Sequence, residues 1–101
     1  MDDPQKYLDL SYYDRALAEF AIAADRQPGS AEVYSNRGLL LRRLGRLGEA
    51  VANLERASEL DPRSAPLAFN VANIHGAMRH YTDAIRYVDR TIALNPLWAG
   101  V

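Results

Sequence analysis

The chain has 101 residues, which is enough for one domain, and its hydrophobic and charged fractions are those of an ordinary globular protein. A formal net charge of −1 gives no global field that would attract nucleic acid or an anionic membrane. Cysteine is absent, which excludes disulfides and thiolate chemistry, and no apolar run approaches the roughly 20 residues that span a bilayer. These totals predict a cytoplasmic chain.

Three prolines divide the chain at a constant step. Pro28, Pro62 and Pro96 stand 34 residues apart, and each follows a run with helical character. Proline ends a helix because it lacks the amide proton and its ring clashes with the preceding turn. It also disfavours the helical region for the residue before it. The constant step therefore predicts one structural unit used repeatedly.

Each unit contains apolar residues at helical spacing in two stretches, separated by a short turn. In the second unit, Ser30 can cap the first helix, and Gly45 can end it. No stretch alternates in polarity with period two, so no strands are predicted. The predicted helices are a stub over about Pro4–Leu10, then Tyr13–Arg26, Ala31–Leu44, Leu47–Leu60, Ala65–Met78 and Tyr81–Leu94.

Small residues recur where the helices should meet. Ala16, Ala50 and Ala84 hold the same place in the three units, and Gly38 stands on the facing helix of the second unit. Short turns make the two helices of a unit antiparallel. One hairpin cannot bury both of its apolar faces, so the next hairpin must stack on it. The sequence predicts an all-α solenoid of stacked helical hairpins.

This pattern resembles the tetratricopeptide repeat (TPR), a family defined by a 34-residue helix–turn–helix unit. "AEVYSNRG" resembles the start of that repeat, "GRLGEA" and "HYTDAI" its middle, and "ASELDP" and "IALNP" its end. The departures are Arg37 in a place usually held by Leu, Ala72 in place of Gly, and His75 in place of Tyr. The resemblance covers about residues 5–98 and implies a TPR-like α-solenoid of about two and a half repeats.

The repeat period sets the expected domain organisation. One TPR-like domain covers residues 1–101, with a partial repeat at 1–30, full repeats at 31–64 and 65–98, and a short tail at 99–101. The resemblance implies a non-catalytic protein–protein interaction module, which would bind a peptide or partner helix in the concave groove of the solenoid.

The inner-face pattern of the family, placed on this chain, implies a peptide-binding groove. Asn36 and Asn70 share one repeat place on the polar side of their helices, and an amide offers a peptide both a donor and an acceptor. Arg42 or Arg43 can supply a fork for a carboxylate. The alternative is a solvated polar face without a ligand. The candidate groove residues are Gln5, Asn36, Leu39, Arg42, Arg43, Phe69, Asn70 and Asn73.

Some members of the family grip the acidic C-terminal tail of chaperones through a clamp of two Lys, two Asn and an Arg. In the register set by the prolines, Asn36 is the single match, because the other places hold Met1, Gln5, Pro66 and Asn70. A chaperone tail is therefore not the expected partner.

The last predicted helix presents a bare apolar face formed by Ile85, Val88 and Ile92. Solenoids normally finish with a polar capping helix, and "LWAGV" is too short for one. The face predicts self-association or continuation into a longer array, unless Leu97 and Trp98 fold back over it. The competing function is a structural or self-assembly segment of a larger TPR-containing regulatory or signalling protein.

The sequence offers little for catalysis. His75 lies on a predicted core face and should be a hydrogen-bonded packing residue, whereas His80 lies in a turn and should be solvated. Without Cys or an H-E-x-x-H motif, neither a zinc site nor a cofactor is expected. The basic cluster of Arg42, Arg43 and Arg46 is too narrow for nucleic acid and should compensate the negative end of its helix. An enzyme, a nucleic-acid partner and a membrane partner are therefore not expected.

Overall fold

A computed structural model describes residues 10–99 of the chain. This part consists of five α-helices and a closing 3₁₀ helix, and it contains no strand. The helices are α1 (Leu10–Arg26), α2 (Ala31–Arg43), α3 (Leu47–Leu60), α4 (Ala65–Ala77), α5 (Tyr81–Leu94) and the 3₁₀ helix Pro96–Ala99. The all-α prediction is confirmed, and the bounds of α2 to α5 lie within one residue of those predicted.

The first unit differs from its predicted form. Helix α1 already includes Leu10, so it extends three residues before the predicted start at Tyr13. The predicted stub over Pro4–Leu10 lies outside the described residues, apart from Leu10 itself, which continues directly into α1.

The first helices of the two full units begin in the same way. The Ser30 hydroxyl accepts a hydrogen bond from the amide of Val33 at 3.3 Å. The Ser64 hydroxyl accepts one from the amide of Leu67 at 3.2 Å. Each serine therefore satisfies one of the amides that a helix start leaves without a partner.

The turn inside the second unit follows from one glycine. Gly45 adopts φ 78°, in the left-handed region that favours glycine. Its amide donates to the carbonyl of Arg42 at 3.0 Å, and the amide of Arg46 donates to the carbonyl of Leu41 at 2.9 Å. This pair of bonds is a Schellman motif, which ends α2 and turns the chain into α3.

The third unit makes the same turn without a glycine. Arg79 adopts φ 61°, and its amide donates to the carbonyl of Gly76 at 3.1 Å. The amide of His80 donates to the carbonyl of His75 at 2.8 Å. The turn therefore places residues 75 and 80 side by side, with a strained backbone at Arg79.

Close approach within the second hairpin depends on Gly38. A Cβ atom at this position would lie 2.7 Å from Leu54 Cγ and 3.2 Å from the Leu54 backbone nitrogen. The absence of a side chain at Gly38 thus lets Leu54 pack closely, and only 1 % of Leu54 remains exposed. Around this contact, the core contains Leu41, Ala50, Leu54, Val71 and Ile74 from α2, α3 and α4.

The helices pack mainly on their neighbours in sequence, from α1 on α2 to α4 on α5. The resulting body measures 47 × 35 × 22 Å, which is elongated for a chain of this length. This sequential packing is the arrangement expected of a solenoid. Among residues 10–99, no helix combines the length and the apolar character required to cross a membrane.

Candidate functional site

A pocket of about 360 Å³ lies between α1 and α2. We call it the α1–α2 pocket. Three of the predicted groove residues, Asn36, Leu39 and Arg43, form its α2 wall. The full lining is Tyr12, Tyr13, Ala16 and Phe20 from α1 with Asn36, Leu39, Leu40 and Arg43 from α2.

Helical spacing explains the composition of the α2 wall. Asn36, Leu39 and Arg43 are three and four residues apart, so they lie on one face of α2. Leu39 remains 38 % exposed, and the side chains of Asn36 and Arg43 are exposed as well. This wall thus offers an apolar surface, an amide and a guanidinium within two turns of one helix.

The opposite wall is aromatic. Tyr12 and Tyr13 make an edge-to-face contact, with ring centroids 5.6 Å apart and planes at 86°. Tyr12 is nevertheless 64 % exposed. An exposed aromatic surface beside an apolar side chain favours contact with an apolar group of a ligand.

The repeat shows which place in a hairpin the α1–α2 pocket holds. Ala50 and Leu54 of α3 hold the places that Ala16 and Phe20 hold in α1. Ala50 and Leu54 are 0 % and 1 % exposed, with Leu54 packed against Gly38 of the preceding helix. Ala16 and Phe20 are only half-buried, and no helix precedes α1 among the described residues. The pocket therefore lies where the first helix of a hairpin would pack.

The remaining groove candidates lie elsewhere. Arg42 lines a separate depression of about 370 Å³ together with Leu39 and Arg43. On α4, Phe69, Asn70 and Asn73 are half-buried, and they do not line the α1–α2 pocket. Gln5 lies outside the described residues. Of the predicted groove residues, those on α2 line these two depressions.

The residues of the α1 wall were not among the predicted groove residues. The sequence did contain the signal for them, because the first unit was expected to lack most of its first helix. In a helical-hairpin repeat, Tyr13, Ala16 and Phe20 stand at the positions of the second helix that face the first helix of the same unit.

Of the three arginines in the basic cluster, Arg46 forms an ion pair with Glu49. Arg46 donates to Glu49 from Nη2 at 2.8 Å and also from Nε. This hydrogen bonding holds the pKa of Glu49 below its usual value and raises the pKa of Arg46. The pair stabilises the fold above the ordinary carboxyl pKa and loses that effect as the pH falls through the lowered value. Arg42 and Arg43 remain exposed in the last turn of α2, where positive charge is favourable.

The predicted self-association face is exposed along α5. Ile85, Val88 and Ile92 are 61 %, 37 % and 39 % exposed. Leu97 is 80 % exposed, so it does not cover them, and the side chain of Trp98 lies outside the described residues. We call the surface formed by Ile85, Val88 and Ile92 the end face.

Two of the three corresponding positions are buried in the second unit. Leu54 and Ser58 of α3 correspond to Val88 and Ile92, and they are 1 % and 2 % exposed. Helix α3 packs between α2 and α4, whereas α5 is followed by the short 3₁₀ helix in the described chain. The end face is thus the surface on which a next hairpin would stack.

The fold defines the class of protein as an all-α solenoid of stacked helical hairpins. Residues 31–64 match the family model described as tetratricopeptide repeat, and these are the bounds of the predicted second unit. The second unit is thus a tetratricopeptide repeat, and the fold of the chain is that of solved TPR proteins. The family model that matches residues 31–64 is not one of an enzyme family.

A curated protein is similar in sequence to most of the chain. The chain is 30 % identical over 82 residues to the Hsp70-Hsp90 organizing protein of Triticum aestivum, a match that covers 74 % of this chain and 14 % of that protein. The chain thus spans a small fraction of the length of the curated relative.

Solved structures share the fold. The TPR2B domain of yeast Sti1, described in complex with pHsp70, superposes with TM-score 0.77 and 26 % identity over 90 % of this chain and 73 % of that chain. YrrB, described as a TPR protein with an unusual peptide-binding site, gives TM-score 0.76 and 23 % identity over 86 % of this chain and 45 % of its own.

Proposed function

We propose that the chain is a non-catalytic protein-interaction module that holds a peptide or a partner helix in the α1–α2 pocket. The observation that carries this proposal is the meeting of Asn36, Leu39 and Arg43 with the aromatic wall of α1. The similarity to a Sti1 domain described in complex with pHsp70 supports a protein partner. The cytoplasmic location expected from the sequence stays a prediction.

The lining of the pocket supports a particular ligand chemistry. An apolar side chain would contact Leu39 and Phe20, and a ligand carboxylate would pair with Arg43. The exposed Asn36 amide can bond a peptide backbone group, because it combines a donor with an acceptor. The best ligand is therefore an amphipathic segment with one acidic residue beside a large apolar one. Because the pocket is small, we expect affinity in roughly the micromolar range.

The acidic chaperone tail is a poor candidate for this partner. At the clamp positions within the described chain, Asn36 matches the clamp, whereas Pro66 offers no charge and Asn70 stands where an Arg is required. The relatives whose names mention Hsp70 and Hsp90 are therefore a guide to the fold and the general role. They do not identify this chain's ligand.

A peptide array followed by fluorescence anisotropy on the best peptide tests the proposal. Asn36→Ala should weaken binding about two- to thirteenfold, the range of one hydrogen bond of about 0.5–1.5 kcal/mol. Asn70→Ala is the matched control, since it changes the same repeat place in α4 outside the pocket, and it should change affinity less than about twofold. If the two variants weaken binding equally, or neither does, the pocket is not the binding site.

The exposed end face favours a second candidate function, assembly with another copy of the chain. Burying the part of its three apolar side chains that is still exposed would contribute about 2–4 kcal/mol, at about 1.5–3 kcal/mol for a side chain that passes from full exposure to full burial. Light scattering across a concentration series tests this candidate. A concentration-dependent mass that Ile85→Lys abolishes would support it, and a monomer at the highest concentration would eliminate it. Ile22→Lys, on the exposed surface of α1, is the control.

A further inference from the structure

Three titratable side chains meet where α4 turns into α5. The Nδ1 atoms of His75 and His80 are 3.3 Å apart. Asp83 follows in the first turn of α5. One ligand atom from each of these three residues lies within 4.8 Å of the others. None of the three belongs to the α1–α2 pocket or to the end face.

The His75 ring is held in one orientation. Its Nε2 atom lies 2.8 Å from Oε1 of Glu55 on α3, and its ring stacks on Tyr87 of α5 with centroids 5.8 Å apart. An ionised carboxylate can only accept, so Nε2 carries the proton. In the neutral ring, the Nδ1 atom then carries no proton, and it faces His80. His75 is 6 % exposed, so its ring is largely shielded from water, whereas His80 is exposed.

The second unit shows that the turn itself does not require these residues. The same backbone hydrogen bonds there join Leu41 and Arg46, and Arg46 pairs with Glu49. Leu41 is part of the apolar core at 2 % exposure. The third unit has therefore replaced an apolar residue and an ion pair with two imidazoles and a carboxylate.

We propose that His75, His80 and Asp83 bind a divalent transition-metal ion of the zinc class. Two nitrogen ligands, each about 2.0–2.1 Å from a tetrahedral zinc ion, lie about 3.3–3.4 Å apart, which is the separation of the two Nδ1 atoms. Glu55 supplies the outer carboxylate that orients metal-binding histidines. Asp83 supplies the third ligand, and water fills the fourth place.

One carboxylate oxygen of Asp83 is already engaged. Arg86 donates to Oδ1 at 3.0 Å, which fixes the carboxylate near His80. The metal would compete with this exposed ion pair or use the other oxygen. Exposed pairs contribute little to stability, so Arg86 is a weak competitor for a metal that also has two imidazole ligands.

Zinc titration of the untagged chain, followed by calorimetry and thermal melting, tests the proposal. We expect one equivalent to bind, the melting temperature to rise with zinc, and cobalt to give the absorption of a four-coordinate site. His80→Ala and Asp83→Asn should each weaken zinc binding more than about 100-fold, and Glu55→Gln about 10–100-fold. Asp89→Asn, an exposed acidic residue elsewhere on α5, is the control and should keep the wild-type affinity.

The buried ligand needs a variant that preserves the core. His75→Leu introduces the residue found at this place in the second unit, so the chain should fold and yet lose zinc binding. Circular dichroism verifies the fold. Absence of saturable binding up to about 1 mM zinc would show that the two rings share only a hydrogen bond and would overturn the proposal. Binding that survives in both His75→Leu and His80→Ala would also overturn it.

Discussion

The close contact between Gly38 and Leu54 leads to a prediction with an internal control. In Gly38→Ala, the new Cβ would lie 2.7 Å from Leu54 Cγ and 3.2 Å from the Leu54 backbone nitrogen. The side chain cannot relieve the second contact by rotating, so the two helices must separate slightly. The third unit carries Ala72 and Val88 at these places. Relative to the second unit, the third unit has one carbon more at the glycine place, in Ala72, and one carbon fewer at the leucine place, in Val88.

The expected energies follow from two opposing terms. Overpacking a filled core costs about 1–3 kcal/mol, and replacing a helical glycine by alanine recovers about 1 kcal/mol. Gly38→Ala should therefore destabilise the fold by up to about 2 kcal/mol. Leu54→Val alone leaves a cavity and should cost about 0.5–1.5 kcal/mol. The double variant reproduces the pair in the third unit, so it should cost about 1 kcal/mol less than the sum of the single variants.

Urea denaturation followed by circular dichroism gives the four free energies of unfolding. Gly76→Ala is the matched control, because a Cβ atom at that position would meet no neighbouring atom within 4 Å. This control should stabilise the chain by about 0.5–1 kcal/mol through helix propensity. If Gly38→Ala stabilises the chain as Gly76→Ala does, or if the Gly38 and Leu54 effects add within about 0.5 kcal/mol, the packing argument is wrong.

Three further substitutions test local features by the same urea assay. Arg79→Gly should stabilise the chain by about 0.5–1 kcal/mol, because it removes left-handed strain from a turn that uses glycine in the second unit; a loss of stability would contradict the strain. Ser64→Ala should cost about 1 kcal/mol by removing the cap of α4, and no change would show that the hydrogen bond to Leu67 is unimportant. Arg37→Leu should stabilise by about 1 kcal/mol, because the buried Nε of Arg37 has no partner among the described residues; destabilisation would show that its charge is needed.

The bounds of the helices could be predicted because local signals set them. Ser30 and Ser64 cap the starts of α2 and α4, and Gly45 ends α2 at the turn of the second unit. The predicted start of α1 was wrong because it was inferred from the repeat register, whereas no glycine or proline separates Leu10 from Tyr13.

The sites were harder to predict because they depend on tertiary structure. The α1–α2 pocket depends on how α1 packs on α2, and the repeat pattern alone did not select its aromatic α1 wall. His75 and His80 are five residues apart, which in a continuous helix would place them about 140° from each other. The turn at Arg79 instead brings the two rings together, with their Nδ1 atoms 3.3 Å apart. The sequence pattern does not show this turn, so it indicated one histidine packed in the core and one exposed to solvent.

The shortest dimension of the molecule, 22 Å, is about the thickness of two helices. A body this thin has no deep interior, and each helix depends on the one or two beside it. Amide hydrogen exchange should consequently be graded along the chain, slowest in α3 and α4 and faster toward both edges. If another hairpin were attached next to α1 or α5, that helix would gain a second neighbour. The slowest-exchanging region would then shift toward the added hairpin.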